Sequence, residues 1–268
     1  MSLLHSLNRA TFGSSIGKKI IVAVTGIMLI GFLVGHLLGN LQVFLAPDWI
    51  NSYGHHLQTF PLLWPIRIGL LAVFATHIFT TILLVKENRD ARPSQYAMKP
   101  KKYSTVAART MALSGLTVLA FVIFHLLHFT TKSIHPEYRN LMYNLHGEMV
   151  PDVHSMMIQG FSYKGIAFFY ILCMGLLCLH LSHGFSSLWQ TFGLNSQKLV
   201  AFWKFFGYAF SAAIFLGFAS IPISVQAGLL KKHEVTVPIE KQDSTSVPAL
   251  ENTPKNEVGH HGEDPVSH

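Results

Sequence analysis

Five stretches of this chain are apolar over about the 20 residues that cross a bilayer core: 20–45, 62–85, 106–129, 165–188 and 205–230. No other feature restricts the fold as much. Backbone polar groups in hydrocarbon must be satisfied within the protein, and runs of this length do so as helices. Charged residues make up only 12% of the 268, against 50% hydrophobic, too few charges to cover a water-soluble globule of this size. The expected fold is therefore an all-α membrane protein, a five-transmembrane-helix bundle. A short polar lead over 1–19 precedes it, and a tail over 231–268, rich in Ser, Pro, Glu and Lys, has the composition of a disordered segment.

The formal charge is +7, from 20 Lys plus Arg against 13 Asp plus Glu, and its distribution sets the topology. Arg9, Lys18 and Lys19 precede the first run. Lys86, Arg89, Arg92, Lys99, Lys101 and Lys102 crowd the second connection, and Lys198 and Lys204 flank the fourth. The first connection has Asp48 and no base before Arg67, while the third balances Lys132 and Arg139 with Glu137, Glu148 and Asp152. The positive-inside rule puts the N-terminus in the cytoplasm and the tail outside, so the basic balance needs no nucleic acid. The first run is too long for a signal-peptide core and lacks a small-residue cleavage site, so it is expected to stay as an uncleaved helix. Cys173 and Cys178, the only cysteines, form no CxxC or CxxCH motif and are expected to be packing residues.

Sixteen histidines are many for this length, and six are inside apolar runs: His36, His77, His125, His128, His180 and His183. An ionisable group in hydrocarbon is costly enough to mark a functional site once a partner is named. Taken singly, each is as well explained by a hydrogen bond to a neighbouring helix. Depth separates them. His36 and His125 lie in the outer halves of the first and third runs, and His77 and His180 in the inner halves of the second and fourth, at levels about 10 Å apart or somewhat more. Two neutral imidazoles from different helices are what axial ligation of a six-coordinate haem iron needs. The expectation is two haems b, with His128 and His183, nearer the interfaces, as weaker alternatives. Lys18, Lys19 and Arg109 are candidates for propionates, though interface charge alone explains them equally well.

Gly31, Gly35 and Gly39 recur every fourth residue beside His36. Such a ridge admits either a close helix or a flat macrocycle. Pro222 should bend the last run. The third connection, over 130–163, is long enough to be functional or partly helical, and the basic second connection suits a cytoplasmic partner. No internal repeat is evident beyond the helices themselves.

With the five runs and these histidines in view, Thr25-Gly26 before the histidine of GFLVGHLLGNLQVF, then FATHIF, SGLTVLAFVIFH and LCLHLSHGFSSLW, the chain resembles the dihaem cytochrome b membrane-anchor subunit of succinate dehydrogenase and fumarate reductase over roughly 15–230. The resemblance implies His36 and His125 on a distal haem and His77 and His180 on a proximal one, favouring His125 over His128 and His180 over His183. It further implies a flavoprotein and an iron–sulfur subunit on the cytoplasmic side of a bacterial inner membrane, and electron exchange with a quinone, expected to be menaquinone. Flavin and succinate sites would belong to the partners. For the quinone's protons, Asp48, His55, His56, Glu148 and Asp152 are the titratable candidates, each equally explained as a solvated loop residue. The competing readings are the cytochrome b anchor of a hydrogenase or formate dehydrogenase and a haem-free transporter or structural membrane protein.

Overall fold

The structure is a computed structural model, and it describes residues 13–91, 110–194 and 196–233. The lead over 1–12, most of the basic connection with Arg109, and the tail from 234 lie outside the described residues. Seven α-helices and one hairpin follow in order: α1 (Ser15–Leu41), α2 (Pro47–Thr59), α3 (Leu63–Asp90), α4 (Met111–His125), β1 (Met142–Leu145), β2 (Glu148–Pro151), α5 (Val153–Ser162), α6 (Lys164–Thr191) and α7 (Gln197–Gln226). Five of them, α1, α3, α4 with its last turn to Thr130, α6 and α7, are long and apolar enough to cross a membrane.

The helix ends are set by capping chemistry rather than by the edges of the apolar runs. Ser14 accepts from the Gly17 amide at 3.0 Å, so α1 starts ahead of the run expected at 20. Ser196 caps α7 through the Leu199 amide, so the last helix covers 197–226 rather than 205–230. Pro222 lies inside α7 without ending it. At the end of α4, Leu126–Thr130 form one π-helical turn, closed by the Thr131 amide on the Leu126 carbonyl at 2.8 Å.

The bundle is inverted relative to a soluble protein. Phe79, Phe168, Phe205 and Leu216 are each more than half exposed, while small polar side chains such as Ser114, Thr80 and Ser211 are buried. An apolar rim of this kind, on helices long enough to cross a bilayer, is consistent with a multi-pass membrane protein. Trp49 and Trp64 are exposed at one end of the helices, and Trp189 stacks on Trp203 at 4.3 Å near the other, as in interfacial belts. The most extensive helix contact joins α6 and α7. There a Cβ on Gly207 would stand 3.1 Å from the Ser182 carbonyl oxygen, so the absence of a side chain sets the approach.

One end of the bundle has a cap of α2, the hairpin and α5, and the hairpin is a small addition to an otherwise helical chain. Met142 pairs with Pro151 and Leu145 with Glu148. His146 and Gly147, both at positive φ, make the two-residue turn. His-Gly is a weak turn signal beside Asn-Gly, which is why a sequence reading passes over it. Val43, Ile50, Met157, Phe161, Tyr170 and Val225 form the core that seats the cap on the spans. Beneath it Asn51 is fully buried, donating to Asp152 Oδ1 at 3.2 Å and accepting from the His154 amide at 3.0 Å.

Two substitutions test this packing. Gly207→Leu should separate α6 from α7 and cost about 1–3 kcal/mol or more. Asn51→Ala should leave the buried His154 amide unpaired and take one of two donors from Asp152 Oδ1, at about 1–3 kcal/mol. Thermal unfolding of the detergent-solubilised protein reads both as lowered midpoints; an unchanged midpoint for Asn51→Ala would mean the cap is not held through that side chain.

Candidate functional site

The intramembrane histidines meet in two pairs. His36 on α1 and His125 on α4 have ring centroids 5.7 Å apart with planes at 86°. Phe32 stacks on His36 at 5.4 Å and Phe218 of α7 reaches it at 5.9 Å, so the last span contributes packing. His77 on α3 and His180 on α6 form the second pair and lie within electrostatic reach of one another.

A hydroxyl from the preceding span orients each ring of that second pair. Thr25 Oγ1 donates to the Ile21 carbonyl at 2.7 Å, so its oxygen accepts from His77 Nδ1–H at 3.0 Å. Ser114 Oγ donates to the Met111 carbonyl at 3.1 Å and accepts from His180 Nδ1–H at 3.4 Å. Both imidazoles are thereby held as the tautomer whose Nε2 keeps a free lone pair. The next residue is glycine in each case. A Cβ on Gly26 would be 3.6 Å from His77 Cε1, and one on Gly115 3.4 Å from His180 Cε1, so each ring lies against its glycine with room for no more than a methyl in ordinary contact.

These contacts expose an internal repeat that the sequence reading did not find. Thr25-Gly26 is followed after nine residues by His36, and Ser114-Gly115 after nine residues by His125. Eleven residues are three helical turns, so the hydroxyl and the imidazole share one helix face, about 16 Å apart along it. That spacing lies on the upper side of the expected separation of about 10 Å or somewhat more. A Ser/Thr-Gly-x9-His search would have found the repeat, but the hydroxyls have no evident role until the histidine they serve is known to lie on the next span.

The remaining candidates are placed as follows. His128, on the π-helical turn, is fully buried and points away from His36. Its Nδ1 is 2.9 Å from the Tyr170 hydroxyl, which also lies 3.4 Å from His125 Nδ1. His183 is half-buried, its carbonyl accepting from Ser186. Lys18 is buried and ion-paired with Glu87 on α3, which also accepts from Ser15 at 3.3 Å; Lys19 is exposed. Gly31 and Gly35 have open space where a Cβ would be, so neither packs against a helix. A Cβ on Gly39 would collide with the Tyr53 ring of the cap at 2.6 Å.

Two cavities lie at the cap end. One, of about 390 Å³, is lined by Asp48, Trp49, Tyr53, His56 and His146, among others. The other, of about 440 Å³, is lined by Trp64, Arg67, Phe129, Lys132 and Asp152, among others. Phe129 connects the second to the histidines, because its ring lies 5.8 Å from that of His125. His55 and the exposed Glu148 pair at 3.4 Å across α2 and β2. Asp48 accepts from the Tyr143 hydroxyl, and that bond, with burial and the nearby carboxylates, pushes the phenol up to about 12. Burial holds His154 below the usual imidazole range, with the charge of His233 adding to it against the pull of Asp152. Burial and the neighbouring Arg139 depress Lys132.

Among the described residues no group of three or more His, Cys, Asp or Glu side chains is placed to hold a bare metal ion. Facing pairs of histidine are what this interior offers. Comparisons with protein-family models, with curated proteins and with solved structures found no match to the chain.

The Tyr143 phenol is raised above its unfolded value near 10. Its bond to Asp48 therefore stabilises the cap fully below that pH, and the contribution disappears as pH rises through about 12. Difference absorbance titration against Tyr143→Phe should place this group near 12, and Asp48→Asn should bring it down toward 10.

Proposed function

We propose that this chain is a dihaem cytochrome b membrane anchor of the succinate dehydrogenase or fumarate reductase kind, carrying electrons between an iron–sulfur partner and a membrane quinone. The observation that carries the reading is the two histidine pairs, each drawn from two different spans, at levels about 16 Å apart on one bundle. His36 and His125, from different spans, bring two imidazole rings within 5.7 Å of each other, the kind of donor pair that would hold a haem iron.

His36 and His125 would hold one haem and His77 and His180 the other. Iron held in this way supplies one-electron transfer. The residues do the rest. Thr25 and Ser114 would keep His77 and His180 in the metal-binding tautomer. Gly31 and Gly35 leave a side-chain-free strip beside His36 for the face of a macrocycle. The surrounding Phe32, Phe121, Phe169 and Phe218 keep water from the rings. Lys18, neutralised by Glu87, is a poor partner for a propionate. With the basic connection on the cytoplasmic side, as the charge distribution favours, the cap end faces outward. The 440 Å³ cavity there, one phenylalanine from His125, is where a quinone headgroup fits this reading best.

Reduced-minus-oxidised absorption of the purified protein tests the proposal. Two b-type components are expected, and no b-type bands would sink it. His36→Ala or His125→Ala should remove one component, and His77→Ala or His180→Ala the other. Thr25→Val should weaken retention of the second haem about 10- to 100-fold, read as haem content after dialysis against a competing haem acceptor. Gly35→Leu should displace only the first, and full occupancy in that variant would remove the glycine strip from the site. Recovery with a covalent-flavin subunit, rather than a hydrogenase or a formate dehydrogenase, would fix the type of complex.

A further inference from the structure

Asp152 is a carboxylate with no exposure, inside a membrane protein, on the wall of the 440 Å³ cavity. Its two oxygens differ. Oδ1 accepts from the Asn51 amide at 3.2 Å and, as the cap of α5, from the Ser155 amide at 2.9 Å. Oδ2 makes no hydrogen bond of good geometry, yet lies 3.0 Å from Nε2 of His233. His233 follows the last span and folds back over the cap, its side chain one-fifth exposed. Its Nδ1 is 3.3 Å from Nδ1 of His154, and the ring of Tyr143 meets its own at 4.9 Å. A buried acid with one committed oxygen, one free oxygen and a part-exposed imidazole against the free one is arranged to pass a proton, not merely to brace the cap.

We infer that Asp152 and His233 form a proton-transfer dyad that connects the 440 Å³ cavity with the medium on the cap side, serving quinone chemistry in that cavity. The inference rests on the proposed function for the presence of quinone. Oxidising a quinol breaks two O–H bonds and releases two electrons and two protons. The electrons would pass to the one-electron acceptor that His36 and His125 would hold. Each proton in turn passes to Asp152 Oδ2, then to His233 Nε2, while His233 releases one from Nδ1 toward His154 and the medium. Quinone reduction runs the same path backwards.

The charged groups around the dyad favour this role. Arg67 from α3 and Lys132 from the loop after α4 line the same cavity as Asp152. Tyr143 from β1, tied to Asp48 of α2, faces the pair as a neutral phenol. His154 of α5, held below the usual imidazole range by burial, lies 3.3 Å from His233 Nδ1 on the side away from Asp152 Oδ2. Glu137 and His135 pair with each other elsewhere in the same connection.

The test uses the isolated complex containing the full chain, mixed with a short-chain naphthoquinol, with haem reduction followed optically. Asp152→Asn keeps the shape and the acceptor on Oδ1, His233→Ala removes the relay, and Lys232→Ala, whose side chain donates to Gln159 at 2.9 Å, checks the fold of the segment. Haem content and the dithionite-reduced spectrum should be unchanged in all three. Quinol-driven reduction should slow at least about tenfold in the first two and not in the third. Imidazole added to the medium should restore His233→Ala but not Asp152→Asn. Wild-type speed in His233→Ala, slowing that imidazole does not reverse, or equal slowing in Lys232→Ala would overturn the dyad. If wild-type protein has no b-type bands, or naphthoquinol does not reduce it, the proposed function falls and the dyad with it. A reducible wild type with an unaffected His233→Ala removes the dyad alone.

Discussion

A polar side chain placed in hydrocarbon must find a partner inside the protein, and that requirement organises this bundle. An unpaired hydroxyl or imidazole costs kilocalories where no water can reach it. Thr25, Ser114, Thr81, Ser182, Ser186 and Ser211 each donate to a carbonyl of their own helix. A hydroxyl whose proton is committed in this way still has lone pairs to offer. Thr25 and Ser114 offer theirs to a ring on the next span, so the cost of burying an alcohol and the cost of burying an imidazole are met by one bond.

The same bond fixes chemistry. A histidine free to choose its tautomer is an indifferent ligand, whereas one whose Nδ1 proton is taken presents Nε2 alone. The two pairs differ in this respect. Both rings of the His77/His180 pair are held by aliphatic hydroxyls. In the other pair His125 shares the Tyr170 hydroxyl with His128, while His36 is held by aromatic packing. Two centres built on one repeated helix motif thus sit in different surroundings.

At the cap the problem is solved with charge. Asn51 and Asp152 are about as buried as any group in the molecule, yet they lie where α2, the hairpin, α5 and the chain after α7 converge. Removing water from that junction makes its hydrogen bonds strong and its orphan atoms expensive. Asp152 Oδ2 retains such an orphan position beside His233, in a wall that also carries Arg67 and Lys132. It is one of several buried polar atoms without a hydrogen-bond partner, among them Thr80 Oγ1, Tyr138 Oη and Ser155 Oγ, and differs from those in facing an imidazole nitrogen.

Much of this was legible in one dimension. The five apolar runs determined the spans, because hydrocarbon admits no other element of that length, and residue depth along each run separated His36 and His125 from His77 and His180. Helix ends shifted by up to eight residues, since caps such as Ser14 and Ser196 lie outside the apolar stretch. The hairpin went unread because its His-Gly turn is weak, and the Ser/Thr-Gly-x9-His repeat because its partners are on other helices. The sequence by itself therefore determined which residues form the long apolar helices and at what level along them. Only the tertiary structure decided which face which: rotation of a helix about its axis and the folding back of His233 over Asp152 are set by packing between segments distant in the chain, which no local pattern encodes.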